Sequence, residues 1–477
     1  MKKPDDFSIY FLYRWRYVIG YGLIGLLLVS LLLFAALFTP AGLSQAEMNA
    51  VAKSASLSLN DPSTLAVTNL PYHLLQAGIL EVFGISNFTI KLPSLILALV
   101  SAAGFIVLLR RWFTTNVAVL ASLIAITTGQ FLYIAQSGNA SILYIFWPII
   151  ILLLGTQITR KLKWRYAAKI LFVVAITLSL YTPLSIYPFL AVILTVGLHP
   201  HLRAILKKMS KKRLVVITGI GAVLIAPLVL MIVKNPQLGL TLLGFPSEWP
   251  NLLDNAVTVF TQYLLFWVPS ASTVMMPVFG LGSALIIGMG LYRLIRTRET
   301  TRSYLITLWL LCLTPILLLN PSFTSVSFVP SVLMLAAGLT SLIGYWYRLF
   351  PKNPYARIGG LIPIIILVAV LISTGLLRYA YGYHYSPTVA SLFSRDLTLL
   401  PKETTLLYVS EDERPFYEAV VKYRGDITLL DGTPTSGKDF TATRAAASTV
   451  SGAYTVETIV TNGASDAADR FYTYTAK

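Results

Sequence analysis

Long apolar runs, broken by short polar and often basic segments, dominate the first 377 residues. A helix rises 1.5 Å per residue, so about 20 apolar residues cross the hydrocarbon core of a bilayer. On that rule the pattern predicts eleven spans, at 17–39, 92–109, 117–134, 142–158, 166–182, 185–198, 214–233, 274–291, 304–319, 328–346 and 358–377. The fifth and sixth are short and share the turn "YTPLS". They read as a hairpin turning at Pro183, with one long kinked helix as the alternative.

Beyond Leu377 the pattern changes. "TTLLYVS" and "DITLLDG" read as strands, and between them "PFYEAVVKYRG" reads as a short helix opened by proline and closed by glycine. Two further strand-like runs, "AYTVETIV" and "RFYTYTA", follow a stretch rich in Ser, Thr, Ala and Gly. The predicted fold class is an all-α polytopic membrane protein with a small α/β C-terminal domain. The predicted domains are 1–376 and 377–477, the first with long loops at 40–91 and 234–273.

Composition agrees. Apolar residues make up 56% of the chain, charged residues 12%, and the mean hydropathy is +0.72. Soluble domains carry roughly 25% charged residues. A cytosolic enzyme, a disordered chain and a disulfide scaffold are thereby excluded. The single cysteine, Cys312, makes no intramolecular disulfide, and no Cys/His spacing of a metal cluster occurs. The net charge of +17 would suit nucleic acid if it were concentrated in one patch. Instead, 24 of the 37 Lys and Arg fall in alternate inter-span segments, and the opposite loops hold only Lys53, Lys91 and Lys234. This is a topology signal. It predicts a multi-pass protein of the cell membrane with a cytoplasmic N-terminus, an extracytoplasmic C-terminal domain and no nucleic-acid partner. The first span reads as retained rather than cleaved.

Almost no ionisable group falls inside a span, which argues against an ion-coupled transporter. Chemistry is then expected in the two long outer loops. These carry Glu47, Asp61, Glu81, Glu248 and Asp254, and the helix-like stretches "SQAEMNAVAKSASL", "PYHLLQAGILEVFG" and "NAVTVFTQYLLFWV". The last two are too short to span and are expected in the interface with the lipid headgroups.

The segment "NLPYHLLQAGILEVFGISNFTIKLPSLILALVSAAGFIVLLRRWF" resembles the passage from first loop to second span of the membrane-embedded C-fold (GT-C) glycosyltransferases, of the protein O-mannosyltransferase and aminoarabinose-transferase type. Pro71 and Tyr72, Phe83 and Gly84, and Lys91, Leu92, Pro93 and Ser94 carry the likeness. "FLYIAQSGNASILYIFWPIIILLLG" and "SVSFVPSVLMLAAGL" resemble a later turn and a late span, so the resemblance runs over residues 15–376. It implies transfer of a sugar from a polyprenyl-phosphate donor to an extracytoplasmic glycan, lipid or protein acceptor, in a cell-envelope pathway bordering the membrane lipids. A first-loop carboxylate would take the acceptor proton or orient its hydroxyl, and basic residues would hold the phosphate.

Carried onto this chain, the resemblance makes Glu47 the expected catalytic base and Lys91, at the family's arginine position, a substrate-binding cation. Lys53, Asp61, Tyr72, His73 and Asn139 complete the expected substrate-binding set. Each has a plainer reading. Ser44-x-x-Glu47 is a capping box, Asp61 suits a turn before proline, and lysines at span ends snorkel. Tyr133, Tyr181 and Trp249 could face a sugar or simply the interface. The family's acidic pair is incomplete, because Ala46 precedes Glu47, and the turn from Gln136 to Ser141 holds no acid. A catalytically silent relative that binds lipid carriers is therefore the alternative, followed by a transporter. The sequence makes no cofactor certain, and a divalent metal is left open.

Overall fold

In a computed structural model of the chain, residues 15, 18, 22, 25–33, 42–58, 60–159, 165–207, 211–267, 270–271, 274–349, 354–432, 439–461 and 469–476 are described. The predicted first span lies largely outside them, although 25–33 are helical.

The first loop folds into α1 (Gln45–Ala55) and α2 (Leu70–Phe83). Next comes α3 (Asn87–Trp112), which starts on a Ser86/Thr89 capping box and ends on Arg110 and Arg111. The expected third span is broken. It consists of α4 (Thr115–Ile126) and α5 (Gly129–Gln136), bent by 60°. At the break, the hydroxyls of Thr127 and Thr128 donate to the carbonyls of Leu123 and Ala125 at 2.7 Å. Side-chain hydroxyls that bond back along a helix compete with its backbone ladder. Gly375 packs on the bend, where a Cβ would lie 2.4 Å from the Thr127 carbonyl oxygen.

After α6 (Leu143–Thr159), α7 (Arg165–Ser179) and α8 (Ile186–Leu198) are two separate short helices joined by a turn that holds Pro183. In that turn Leu184 takes a left-handed φ of 64° and donates its N–H to Leu242. The chain continues through α9 (Pro200–Lys207), α10 (Lys211–Lys234), α11 (Pro236–Leu243) and α12 (Leu252–Leu264). The predicted span 274–291 is shifted. Residues Ser270–Ala271 (β1) and Met275–Met276 (β2) pair as a short antiparallel ribbon, and α13 runs from Leu281 to Arg296. Then follow α14 (Thr301–Leu319), α15 (Phe328–Leu349), α16 (Pro354–Gly359) and α17 (Leu361–Tyr379).

Six helices among the described residues are long and apolar enough to cross a membrane, seven if the bent pair counts as one span. The helices α7 and α8 are shorter, and α13 has 16 residues, so length and apolarity do not yield eleven. The core holds Phe105, Phe131, Trp309 and Phe328. Along it, α13 and α15 approach backbone to backbone. A Cβ on Gly290 would sit 1.8 Å from the Met334 carbonyl oxygen, and one on Gly338 2.0 Å from that of Ile286. Small residues at helix contacts allow this kind of packing in membranes.

The tail adds α18 (Pro387–Leu392) and then a mixed sheet. Its strands β3 (Leu406–Tyr408), β4 (Thr428–Leu429), β5 (Phe440–Thr443), β6 (Tyr454–Thr461) and β7 (Arg470–Ala476) lie in the order β4-β3-β5-β7-β6. Pairing is parallel at β3/β4 and β3/β5, and antiparallel at β5/β7 and β6/β7. The helix α19 (Arg414–Arg424) sits between β3 and β4 in sequence, as predicted. The strand β5 and the short helix α20 (Arg444–Ala447) occupy the stretch read only as Ser/Thr/Ala/Gly-rich.

The tail is not a separate ball. Its core side chains Leu407, Phe416 and Val420 share one cluster with Leu43, Met48 and Val51 of the first loop and α1. Lys422 caps α1 by donating to the Ala55 carbonyl at 2.7 Å. Leu43 and Arg395 form an antiparallel bridge, and Asn87 Nδ2 donates to Asp396 Oδ1 at 2.7 Å.

Candidate functional site

The helix α1 stands between two environments, and its 3.6-residue period sorts its side chains. Ala46, Asn49, Ala50 and Lys53 lie on one stripe and line a cavity of about 540 Å³. Glu47, Val51 and Ser54 lie on another and are buried. The cavity is closed by Thr68, Asn69 and His73 at the start of α2, Tyr133 of α5, Asn139 and Ser141 of the following turn, Tyr144 of α6, Phe323 and Ser325 before α15, and Phe393 of the tail. It lies at the helix ends remote from Arg110, Arg111, Arg302 and Arg348. None of its lining residues is Asp or Glu.

Glu47, the expected base, is 0% exposed and lies behind the wall. Its Oε2 accepts from the Ser44 N–H at 2.7 Å and the Ser44 hydroxyl at 3.0 Å, completing the capping box. Its Oε1 accepts from the Gly138 N–H at 2.5 Å. A Cβ at position 138 would stand 3.2 Å from that oxygen. The carboxylate thus ties α1 to the turn after α5, and its acceptor sites are turned toward fixed donors. This corrects the expectation that Glu47 opens into the cavity. The residue before it and the residue two after it do, because each step around a helix rotates the side chain by about 100°.

Lys53 is exposed in the cavity wall, with no side-chain partner among the described residues. Lys91 is buried one layer back. Its Nζ donates to the Gly42 carbonyl at 3.0 Å and lies 5.8 Å from the centre of the Phe393 ring, with no acid within ion-pairing distance among the described residues.

Behind the α2 wall a hydrogen-bond chain fixes orientations. Gln76 Nε2 donates to the carbonyls of Ile90 (3.1 Å) and Gly138 (3.3 Å). Its Oε1 is therefore the acceptor for the Ser54 hydroxyl at 2.7 Å. With that proton committed, Ser54 Oγ accepts from His73 Nδ1 at 2.8 Å. The Ala50 carbonyl, which can only accept, lies 2.8 Å from Ser54 Oγ and draws on the same hydroxyl proton. The network assigns the Nδ1–H tautomer, leaving Nε2 with a free lone pair and no partner among the described residues. Burial first, and then the Lys53 charge, hold the His73 pKa down at about 4. The ring is neutral at pH 7.

Tyr72 is fully buried and does not line the cavity. Its hydroxyl meets Ser94 Oγ at 2.9 Å, and Ser94 donates to the Asn139 carbonyl at 3.1 Å, which positions the Asn139 turn. Burial pushes its phenol far above the ordinary range. Asn139 is in the wall. Its Oδ1 accepts from Ser141 N–H at 3.0 Å. Asp61 is exposed away from the cavity and caps the turn Pro62–Leu65, accepting from Ser63 N–H at 3.0 Å. The Ser63 hydroxyl, donating to it at 2.7 Å, and then that N–H hold its carboxyl below the usual range. Glu81, Glu248 and Asp254 are also exposed and away from it. Of the three aromatics considered, Tyr133 reaches the cavity, whereas Tyr181 packs on α10 and Trp249 is exposed.

Asn69, Asn49, Tyr144 and Phe393 are wall residues that the sequence reading did not single out. Asn69 and Asn49 carried a legible signal, the first as the cap before Pro71 and the second in phase with Lys53. Phe393 carried none, since it arrives from the far end of the chain. A divalent metal does not fit this site. Among the described residues no three His, Cys, Asp or Glu side chains gather. The nearby carboxylate is already faced by N–H and O–H donors.

No protein-family model matches the sequence, and no curated protein matches it. Solved structures do match. ArnT from Cupriavidus metallidurans, bound to undecaprenyl phosphate, superposes with a TM-score of 0.55 at 14% identity, over 96% of this chain and 98% of that one. The chain has the GT-C fold. The apo state of the same ArnT gives the same TM-score at 13% identity. AglB from Archaeoglobus fulgidus, an oligosaccharyltransferase in complex with an inhibitory peptide and a dolichol-phosphate, gives 0.48 at 13% identity, over 85% of this chain and 64% of that one. At such identities the likeness is one of GT-C architecture, spanning nearly the whole chain and its tail in the case of ArnT. The expected GT-C architecture is thus met, and the roles of individual side chains rest on the geometry above.

Proposed function

We propose that this protein is a membrane glycosyltransferase of GT-C type that takes a sugar from a polyprenyl-phosphate carrier and passes it to a glycan, lipid or protein acceptor at the extracytoplasmic membrane face. The observation that carries this reading is the cavity itself, a hollow with Lys53 in its wall, Lys91 behind Phe393, and no carboxylate lining it. Such a site favours an anion. The remaining wall of amides, hydroxyls and aromatic rings suits a sugar, which presents hydroxyl edges and an apolar face. The exposed apolar face of α12, with Leu253, Val257 and Phe260, supports a placement against the lipid. The structural neighbour ArnT was crystallised with undecaprenyl phosphate.

In this reading the short helices α7, α8 and α13 complete the eleven crossings, with the basic segments cytoplasmic and the tail outside. Lys53 holds the phosphate as a point charge, Lys91 adds positive potential from behind Phe393, Asn139 meets a sugar hydroxyl, and Glu47 and Tyr72 hold the wall. Asp61 has no part in the cavity. A second reading, a catalytically silent carrier-binding relative, is favoured by the lack of any lining carboxylate.

Two measurements separate these readings. The purified protein in nanodiscs should bind undecaprenyl phosphate, and Lys53→Met should weaken that binding about tenfold or more, the scale of a lost charge-assisted contact. Turnover of undecaprenyl-phosphate-linked hexoses or aminoarabinose by the wild-type protein supports the enzyme. Binding without turnover of any of them supports the silent relative, and no binding at all defeats both.

A further inference from the structure

The α2 wall of the cavity presents an imidazole acceptor. His73 Nε2 carries a lone pair with no partner among the described residues, because the Ser54–Gln76 chain holds the ring proton on Nδ1. Asn69, one helical turn earlier, also lines the cavity. A phosphate oxygen cannot satisfy the His73 lone pair, since it brings acceptors of its own. A hydroxyl can, because it brings a proton. The α1 wall is complementary: Lys53 offers N–H donors and positive charge. The cavity is thus polarised from an anion side on α1 to a hydroxyl side on α2.

We propose that the α2 wall is the acceptor-hydroxyl subsite and that His73 Nε2, not a carboxylate, is the proton acceptor of the transfer. This assignment rests on the glycosyltransferase reading above. As the acceptor oxygen forms its bond to the anomeric carbon, the carbon–oxygen bond to the carrier phosphate breaks. Its electron pair leaves with the polyprenyl phosphate, held by Lys53, and the hydroxyl proton passes to His73 Nε2. The ionisable groups around the imidazole are Lys53 on α1, Tyr72 beside it on α2, Tyr133 and Tyr144 in the cavity wall, and Glu47 behind it. Of these Lys53 opposes protonation of the ring. An anionic phosphate seated on Lys53 offsets that charge, so donor binding makes the histidine a stronger base at the moment it is needed.

The test uses ¹⁵N-histidine NMR of the full-length protein in nanodiscs. The chain has four histidines, and His73→Asn assigns the signal. At pH 7 the spectrum should show the Nδ1–H tautomer. Saturating undecaprenyl phosphate should raise the titration midpoint of His73 by about one pH unit, and should not do so in Lys53→Met. His73→Asn keeps a donor for Ser54 but no acceptor at the Nε2 position. It should bind undecaprenyl phosphate within twofold of wild type while turnover falls at least 100-fold, the scale of general-base catalysis. A proton on Nε2, a midpoint unmoved by the bound lipid, or unimpaired turnover in His73→Asn overturns the histidine assignment and leaves the transferase reading standing. Failure of the wild-type protein to bind the lipid, or to turn over any sugar lipid, overturns both.

Discussion

A single residue shows how far chemistry depends on angle. Glu47 has the right identity and the right loop, yet a rotation of about 100° places it with Val51 and Ser54 rather than with Asn49 and Lys53. Its expected effect is on stability. Glu47→Gln puts an amide NH₂ against the Gly138 N–H or the Ser44 donors and should cost about 1–3 kcal/mol, the price of an unmatched buried polar group, read as a lowered melting temperature. His73 adds a pH signature. Its folded pKa lies near 4, below the ordinary value of 6.5, so the folded state favours the neutral ring. That contribution is complete above pH 6.5 and is lost as pH falls toward 4, to an extent on the order of 3 kcal/mol. Between pH 7 and 4 the wild-type protein should lose more thermal stability than His73→Asn. An equal loss in both proteins would count against the assigned environment.

Elements were legible in proportion to how local their causes are. The apolar runs gave most helices of the bundle, and the proline turn gave the break between α7 and α8. Alternation with turn residues gave β3, β4, β6, β7 and the helix α19. Three features escaped for stated reasons. The bend between α4 and α5 arises from two threonine hydroxyls inside an otherwise apolar run. The start of α13 is delayed by a two-residue ribbon whose methionines look like helix. The strand β5 is four residues long and buried throughout, so it shows no alternation. The contact of α13 with α15 is sensitive to added volume. Gly290→Ala would place a methyl group 1.8 Å from the Met334 carbonyl oxygen. The helices must then separate, at a cost of at least about 1–3 kcal/mol. A thermal-shift assay should show that loss, whereas Gly288→Ala, with open space around it, should leave stability unchanged or raised.

At the scale of the whole molecule, the tail belongs to the site. Its core is continuous with the buried face of α1, and its Phe393 closes the cavity. No local pattern announces a contact between residue 43 and residue 395, and for that reason the predicted boundary near 377 described a change of composition better than a division of labour. Truncating Phe416 to alanine should remove about 3–5 kcal/mol of packing and, through α1, weaken undecaprenyl phosphate binding although the residue lies outside the cavity wall. Faster amide exchange along α1 would report the route. Unchanged exchange there, with unchanged binding, would show that the two units act independently.

The hydrogen bond from Asn87 to Asp396 joins residues 309 positions apart. At about 5–20 residues per second, a ribosome needs roughly 15–60 s to travel that distance. Throughout that interval the first loop emerges without the surface on which it will finally rest, its Leu43, Met48 and Val51 uncovered. The nascent chain therefore carries that apolar surface without its final partner until the tail arrives to cover it.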